Sequence, residues 1–189
     1  MSHERDAVAY FLGRRGHVLE DRWRDVYEHR LPSEIDGLQA ACLRMSFFGG
    51  CYGLLLTLGA ETGVEPADVG GRILDIVDVH RELRRFVDAD GAGRLAPLER
   101  GGIVAGCWRA WLDTIELKHA SKKVRDDMRG MFFLGAFAVT TLMDELSEAM
   151  IDRAAPGART ALGDVSGTLL EEAGARLIDG LEGVVGWDA

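Results

Sequence analysis

One helical unit occurs twice along this chain of 189 residues, and the repeat constrains the fold more than any other feature. Aromatic residues, arginines and glycines of the first half recur 85 positions later in the second half. The clearest pairs are Trp23 and Trp108, Arg24 and Arg109, Arg44 and Arg129, Phe47 and Phe132, Phe48 and Phe133, and Gly50 and Gly135. Because such residues pack helices together, the repeat describes a scaffold before it describes any chemistry.

The third helix of each unit does not keep this separation. The sequence Asp68-Val69-Gly70-Gly71 is most similar to Asp164-Val165-Ser166-Gly167, which lies 96 positions further on. The register therefore slips by eleven residues between the two units. We expect a loop insertion in the second unit to explain the slip.

Apolar residues recur at spacings of three and four, whereas the alternation typical of strands is almost absent. We predict an all-α fold in which tandem duplication of a three-helix unit forms one helical bundle. Residues 1–90 form the first unit, 91–100 a junction and 101–189 the second unit. Ser33 and Ser121 are the predicted N-caps of the two central helices. Helices are predicted at about 4–13, 16–30, 34–62, 67–87, 97–118, 121–153 and 162–183.

Glycines inside the central helices predict how those helices meet. A glycine in a helix interior costs about 1 kcal/mol relative to alanine, so a compensating contact is expected. Gly50 and Gly53 share one face of the first central helix, and Gly135 and Ala138 share the equivalent face of the second. Small residues there let another backbone approach closely. We predict a tight helix crossing at these positions and a pseudo-twofold relation between the halves.

Composition is that of a globular protein, with 47% hydrophobic and 28% charged residues. The net charge of −9 is spread over both halves and leaves no basic face. Direct nucleic-acid binding is therefore disfavoured, because it requires positive charge against phosphates. Basic partners remain compatible with the charge.

The setting predicted from the sequence is reduced and cytoplasmic. Cys42, Cys51 and Cys107 do not make a disulfide framework. The first ten residues are polar and charged, unlike a signal peptide. The longest apolar run, residues 45–60, has 16 residues and four glycines. A membrane-spanning helix needs roughly 20 apolar residues, so no membrane association is expected.

The segment between the units resembles an EF-hand calcium loop. Its glycine at position 6, Gly93, fits the pattern, whereas Ala92 and Ala96 at positions 5 and 9 lack the usual oxygen ligands. A polar linker rich in glycine is the alternative interpretation. The candidate calcium ligands are Asp88, Asp90, the backbone carbonyl of Arg94, and Glu99.

Two tryptophans are candidates for a partner surface. Trp and Arg dominate the binding energy of many protein interfaces. Trp23 and Trp108 occur in both copies, so we expect each ring to pack within its own repeat. Trp111 and Trp187 are not repeated, and they are therefore the predicted interaction residues.

Evidence for catalysis is weak. Asp75, Asp78 and Glu82 lie along one side of a helix, a pattern compatible with a carboxylate site but more typical of a solvated face. The five histidines are not at metal-ligand spacing, and no nucleophile elbow or phosphate-binding loop is present. An enzyme with a site between the repeats remains an alternative, and a deep polar pocket there would favour it.

The first repeat also resembles a family of small all-helical proteins of unknown function that are common in bacterial phages and prophages. The resemblance covers about residues 15–90, and Arg129, Phe132-Phe133 and Gly135 extend it into the second half. It implies a phage-associated origin and no particular activity. The residues that carry it are Leu31-Pro32, Gln39, Arg44, Phe47-Phe48 and Gly49-Gly50.

These features together predict a non-catalytic helical interaction module that acts through protein–protein contacts. The resemblance implies a phage-associated accessory or host-directed factor. Two alternatives are a calcium-binding protein with a single degenerate EF-hand-like loop and an acidic inhibitor of a nucleic-acid-binding enzyme. The predicted partner is a protein of unknown identity, a homodimer is a further option, and calcium is the one cofactor considered.

Overall fold

The computed structural model describes residues 13–59, 69–91, 102–115, 121–151 and 158–185. These residues contain six helices and no strand, which confirms the all-α prediction. The predicted helix at 4–13 lies, apart from its last residue, outside the described residues. The helices are α1 (Val18–Arg30), α2 (Gly37–Gly59), α3 (Val69–Gly91), α4 (Ile103–Thr114), α5 (Lys122–Ile151) and α6 (Ala158–Val185).

The central helices α2 and α5 begin at side chains that accept backbone hydrogen bonds. The Ser121 hydroxyl accepts from the N–H of Val124 at 3.3 Å, so the predicted cap of α5 is confirmed. The predicted cap of α2 is wrong, because that helix begins at Gly37 and not after Ser33. Asp36 takes this place, since its Oδ1 accepts from the N–H of Gln39 at 2.7 Å.

The crossing of α2 and α5 is the most extensive helix contact in the described residues. A Cβ atom added at Gly50 would overlap the carbonyl oxygen of Phe132, and one added at Gly135 would overlap that of Phe47. The two backbones therefore touch where both residues are glycine, as predicted. Gly53 lies off this contact, because its added Cβ would meet the Cβ of Cys107 on α4 at 3.4 Å.

The crossing has local twofold symmetry. Gly50 and Gly135 are 85 positions apart, and so are the residues that they touch, Phe47 and Phe132. Each central helix thus contributes the same glycine and the same carbonyl to its partner. The reciprocal geometry follows the repeat seen in the sequence, while the common origin of the halves stays a prediction.

The repeated tryptophans pack within their own units, as predicted. The ring of Trp23 lies 5.6 Å from that of Phe47, and the ring of Trp108 lies 5.4 Å from that of Phe132, between centroids. Trp23 and Trp108 are 6% and 2% exposed. Such tilted ring pairs contribute about 0.5–1.5 kcal/mol beyond the area they bury. Both tryptophans are therefore residues of the core.

The first helix of each unit starts without a cap of its own. His17 precedes α1 and makes no side-chain cap bond, while Gly102 precedes α4 and has no side chain to offer. The first N–H groups of a helix have no partner within the helix, so an acceptor must come from elsewhere. In this fold the acceptor comes from the other unit.

Two buried glutamates supply that acceptor, one from each third helix. Glu172 on α6 accepts from the N–H groups of Val18 and Glu20, at 3.1 and 3.0 Å. Glu82 on α3 accepts from those of Val104 and Ala105, at 3.0 and 2.8 Å. Glu82 therefore does not lie on a solvated face, which corrects the sequence interpretation of this residue.

The halves consequently share one core. Helix α1 packs against α5 and α6 of the second half, and α4 packs against α2 and α3 of the first. The buried apolar side chains form a single cluster that draws on all six helices. Each unit thus uses the other to cover its first helix.

The capping glutamates also correct the register of the third helices. Glu82 and Glu172 are 90 positions apart, so the slip relative to the first two helices is five residues and not eleven. This register pairs buried Leu83 with buried Ala173. The separation of 96 positions would pair it with exposed Asp179. Equivalent positions of α3 and α6 are therefore defined by their burial and not by residue identity.

Helix α2 is the one described helix that is long and apolar enough to cross a membrane, over Gly37–Thr57, with a mean hydropathy of 1.3. Within the fold, 56% of its apolar window is buried. It packs on α5, α6 and α4. The core helix of a bundle meets the same criteria, so packing explains the apolar sequence of α2.

Candidate binding sites

A shallow apolar groove of about 370 Å³ lies between α2 and α4, next to Trp111. We call it the Trp111 groove. Leu56 on its rim is 42% exposed. The lining residues are almost all apolar or small, and they are Gly49, Tyr52, Gly53, Leu56, Thr57, Cys107, Ala110, Trp111, Thr114, Phe132 and Leu177.

The indole of Trp111 forms one wall of the Trp111 groove. A Cβ added at Gly49 would lie 2.9 Å from Cε2 of the indole, so the ring packs directly on the helix backbone. Its Nε1 is buried and has no hydrogen-bond acceptor among the described residues. An unmatched buried donor costs about 1–3 kcal/mol, so an acceptor that reached it would bind favourably.

The equivalent positions on α1 and α5 carry different side chains. The position equivalent to Trp111 is Val26, and the position equivalent to Gly49 is Leu134, which is 7% exposed. Position 22, equivalent to Cys107, is an arginine that forms an ion pair with Glu145 at 2.8 Å. The side chains that form the groove are thus particular to one half.

The three cysteines are free, as predicted, and two of them are poor nucleophiles. Burial raises the pKa of Cys51 well above its ordinary value, and its Sγ donates to the carbonyl of Gly135 at 3.3 Å. Burial, and then Asp36, raise the pKa of Cys42. Since the thiolate is the reactive form, the raised pKa values lower the reactivity of these two thiols. Cys107 lies in the Trp111 groove, 3.3 Å from the hydroxyl of Thr57.

A second cavity, of about 660 Å³, lies between α3 and α5 and is far more polar. We call it the polar cleft. His80 and Asp144 lie at one end, with 3.5 Å between Nε2 and Oδ1. It is a polar pocket between the two units, the feature that would favour the alternative of an enzyme, which stays a prediction. The lining residues are His80, Arg81, Leu83, Arg84, Val87, Asp88, Phe137, Thr141 and Asp144.

Opposing effects act on the pKa of the capping carboxylate of Glu172. Burial raises its pKa, while hydrogen bonds from the N–H groups of Glu20, Val18 and Leu19 and the charge of Arg176 lower it. Burial is the larger effect, so the pKa lies above its ordinary value of 4.5. The folded chain therefore holds this proton more tightly than the unfolded chain does.

A pH dependence of stability follows at this residue. A raised folded-state pKa gives stability that is full below the unfolded pKa and is lost as pH rises through the folded pKa. Glu172→Gln is neutral at every pH, so wild type should be more stable relative to it at about pH 4, below the ordinary pKa, than at pH 7. Urea unfolding of both proteins at the two pH values measures the difference. Glu171→Gln, on the exposed neighbour, is the control, and a pH-independent difference for Glu172→Gln contradicts the prediction.

The structure describes only part of the predicted calcium loop. Asp88 is exposed and lines the polar cleft, and Asp90 belongs to α3. Because α3 continues to Gly91, the first four residues of the predicted loop are helical. Arg94 and Glu99 lie outside the described residues, so calcium binding stays a prediction.

The two predicted interaction tryptophans differ in what the structure shows of them. Trp111 lines a groove, whereas Trp187 lies outside the described residues. The sequence analysis did not single out the polar cleft, of which Arg84 and Phe137 are central residues. It singled out Glu82, but as a surface acid, and it missed Glu172. The available signal was a glutamate within a stripe of buried apolar residues, as in Val79, Glu82 and Leu83.

Within the described part of the chain, no group of three or more His, Cys, Asp or Glu side chains has a geometry suited to holding a metal ion. Comparison finds no protein-family model that matches the chain, and it finds no match among curated proteins or solved structures.

Proposed function

We propose that this protein is a non-catalytic helical interaction module, and that its partner surface is the Trp111 groove. The observation that carries the proposal is the buried indole N–H of Trp111, which has no acceptor in the described residues and stands in an apolar groove. Trp23 and Trp108 are buried in the core, whereas Trp111 has no repeated counterpart.

The shape of the groove favours an amphipathic helix as the partner element. Two helices, α2 and α4, form its walls, and small residues such as Gly49, Gly53 and Ala110 line it. Small residues leave room for apolar side chains of a third helix, which enter at i, i+3 or i+4, and i+7. The exposed Leu56 extends the apolar surface at the rim.

A hydrogen bond from the indole N–H of Trp111 would orient the partner helix in this apolar contact. A helix laid in a groove presents side-chain oxygens, and the carbonyls of its last turn, that are free to accept. Nε1 of Trp111 is buried in the free protein, so the indole has to shift for such an acceptor to reach it, and the resulting bond would fix the register of the partner. Apolar burial supplies most of the affinity, and this bond supplies orientation.

A display library of helical peptides tests the proposal. We expect binders with apolar residues at helical spacing, and we expect Ala110→Glu to abolish their binding, because Ala110 is exposed and lines the groove. Val124→Glu is the control, since Val124 is 37% exposed and lies elsewhere on the surface. Peptides that bind wild type and Ala110→Glu equally would contradict the proposal. If the protein forms a dimer and Ala110→Glu dissociates it, the groove binds a second copy of this chain and not a separate partner helix.

Trp111→Phe isolates the contribution of the indole N–H. The ring remains and the donor is lost, so we expect peptide affinity to fall about 2-fold to 10-fold, which corresponds to about 0.5–1.5 kcal/mol. Fluorescence anisotropy of a labelled peptide measures it. Trp23→Phe, in the core, serves as a control for tryptophan loss in general. An unchanged affinity would show that the donor is not used.

The biological setting remains that implied by the sequence of the first repeat, a phage-associated accessory or host-directed factor. A calcium-binding protein and an acidic inhibitor of a nucleic-acid-binding enzyme remain alternatives from the sequence. Calorimetry with calcium tests the first alternative. Heat of binding that is lost in Glu99→Gln would support a calcium site at the junction.

A further inference from the structure

At the place that corresponds to the polar cleft in the other half, α6 and α2 approach each other closely. With the registers defined by the core, Arg84 on α3 corresponds to Gly174 on α6, and Phe137 on α5 corresponds to Tyr52 on α2. At this place, a Cβ added to Gly174 would lie 3.4 Å from Cε2 of Tyr52. The backbone of α6 therefore packs directly on the tyrosine ring.

Residue size explains why α6 and α2 approach closely while α3 and α5 leave a cavity. Helix α6 has Ala173 and Gly174 where α3 has Leu83 and Arg84. Helix α6 packs along α2 far more extensively than α3 packs along α5. The cavity of about 660 Å³ thus lies at a place where the two halves differ in packing.

The charges of the polar cleft have a defined order along α3. Arg84 is midway, with His80 one turn before it and Asp88 one turn after it, about 6 Å along the axis in each direction. Arg81 forms an ion pair with Asp78 at 2.5 Å. Arg84 forms no ion pair with another described residue, so its guanidinium is available to a ligand.

The remaining wall of the polar cleft is apolar. Leu83 and Val87 on α3 face Phe137 on α5, and all three line the cavity beside Arg84. A guanidinium next to an aromatic face binds a planar anion well, because it offers two parallel N–H donors while the ring contacts the flat body. The carboxylates at the two ends, Asp88 and Asp144, accept hydrogen bonds.

We propose that the polar cleft is a binding site for a small organic anion with a flat apolar body. The anionic group pairs with Arg84, the apolar body lies against Phe137, and hydroxyl or amino groups of the ligand donate to Asp88 or Asp144. The cavity volume falls within the range of about 300–1,000 Å³ that is typical of small-molecule sites. This site is separate from the Trp111 groove and does not depend on the function proposed for it.

Nuclear magnetic resonance of the full chain with two matched probes tests the site. Benzoate carries the anion and the flat body, whereas benzylamine carries the same ring with the opposite charge. We expect millimolar benzoate to shift amide resonances of α3 and α5 around residues 80–88 and 137–144, as suits so small a ligand. Benzylamine should shift them less. No response to benzoate, an equal response to benzylamine, or shifts elsewhere would each overturn the proposal.

Variants of Arg84 supply the decisive comparison. Arg84→Gln keeps a polar, unbranched side chain, although a shorter one, and loses the charge, so benzoate affinity should fall at least about fivefold. Arg84→Glu should reverse the preference in favour of benzylamine. Arg24→Gln is the control, because Arg24 is 60% exposed on α1 and does not line the cleft. Arg84 is exposed, so circular dichroism should show unchanged helix content. Unchanged benzoate affinity in Arg84→Gln contradicts the proposal.

Discussion

Gly50→Ala and Gly135→Ala should each unfold the protein or destabilise it severely, although each adds only one methyl group. The added Cβ overlaps a backbone carbonyl oxygen of the facing helix, which no side-chain rotation relieves. The two central helices must therefore separate at the centre of the core. Overpacking a core costs about 1–3 kcal/mol, and we expect the upper end or beyond. Urea unfolding followed by circular dichroism measures the effect.

The controls use glycines of the same two helices. Gly53→Ala on α2 meets only ordinary contacts, at 3.4 Å from the Cβ of Cys107, and Gly130→Ala on α5 meets nothing within 4 Å. Replacing a helical glycine by alanine where the added methyl group meets nothing stabilises by about 0.5–1 kcal/mol, so Gly130→Ala should be more stable than wild type. Wild-type stability of Gly50→Ala would disprove the close crossing.

Glu82→Ala and Glu172→Ala should each remove about 1–3 kcal/mol of stability. Each leaves two backbone N–H groups at a helix start without their acceptor, and neither helix has a cap of its own. The two losses should be similar, because the sites are related by the local twofold axis. Chemical denaturation of both variants provides the values.

The control for the capping prediction is Glu171→Ala, since Glu171 is exposed beside Glu172 on the same helix. It should change stability by less than about 0.5 kcal/mol. Hydrogen exchange gives a second readout, because loss of the cap should speed exchange at the first turn of α1 in Glu172→Ala and of α4 in Glu82→Ala. Equal exchange at both helix starts in both variants would contradict the crosswise assignment of the caps.

Local sequence information was sufficient for the helices and for the crossing. The apolar spacing of three and four predicted helices close to those observed, and glycines in helix interiors predicted where backbones meet. Both signals lie within one or two helical turns. Ser33 failed as a cap because Asp36, three residues later, lies immediately before the first turn of α2.

Features that depend on distant residues could not be predicted. The cap of α1 comes from Glu172, 154 positions away from Val18. No local sequence pattern identifies a partner at that distance. Similarity at Asp68 and Asp164 misplaced the register of the third helices by six residues. Without the correct register, Arg84 is not matched with Gly174, and the difference that opens the polar cleft stays hidden. Trp111 was found for a simpler reason, since it lacks a repeated counterpart.

The crosswise caps impose an order on folding during synthesis. Helix α1 leaves the ribosome early, but its buried acceptor is made more than 150 residues later. The start of α1 therefore lacks its acceptor until α6 has been synthesised. Contacts between residues so far apart in sequence slow folding. A chain that stops before α6 lacks the acceptor for its own first helix. The two halves are therefore expected to fold as one cooperative unit, which is complete only after α6 has been synthesised.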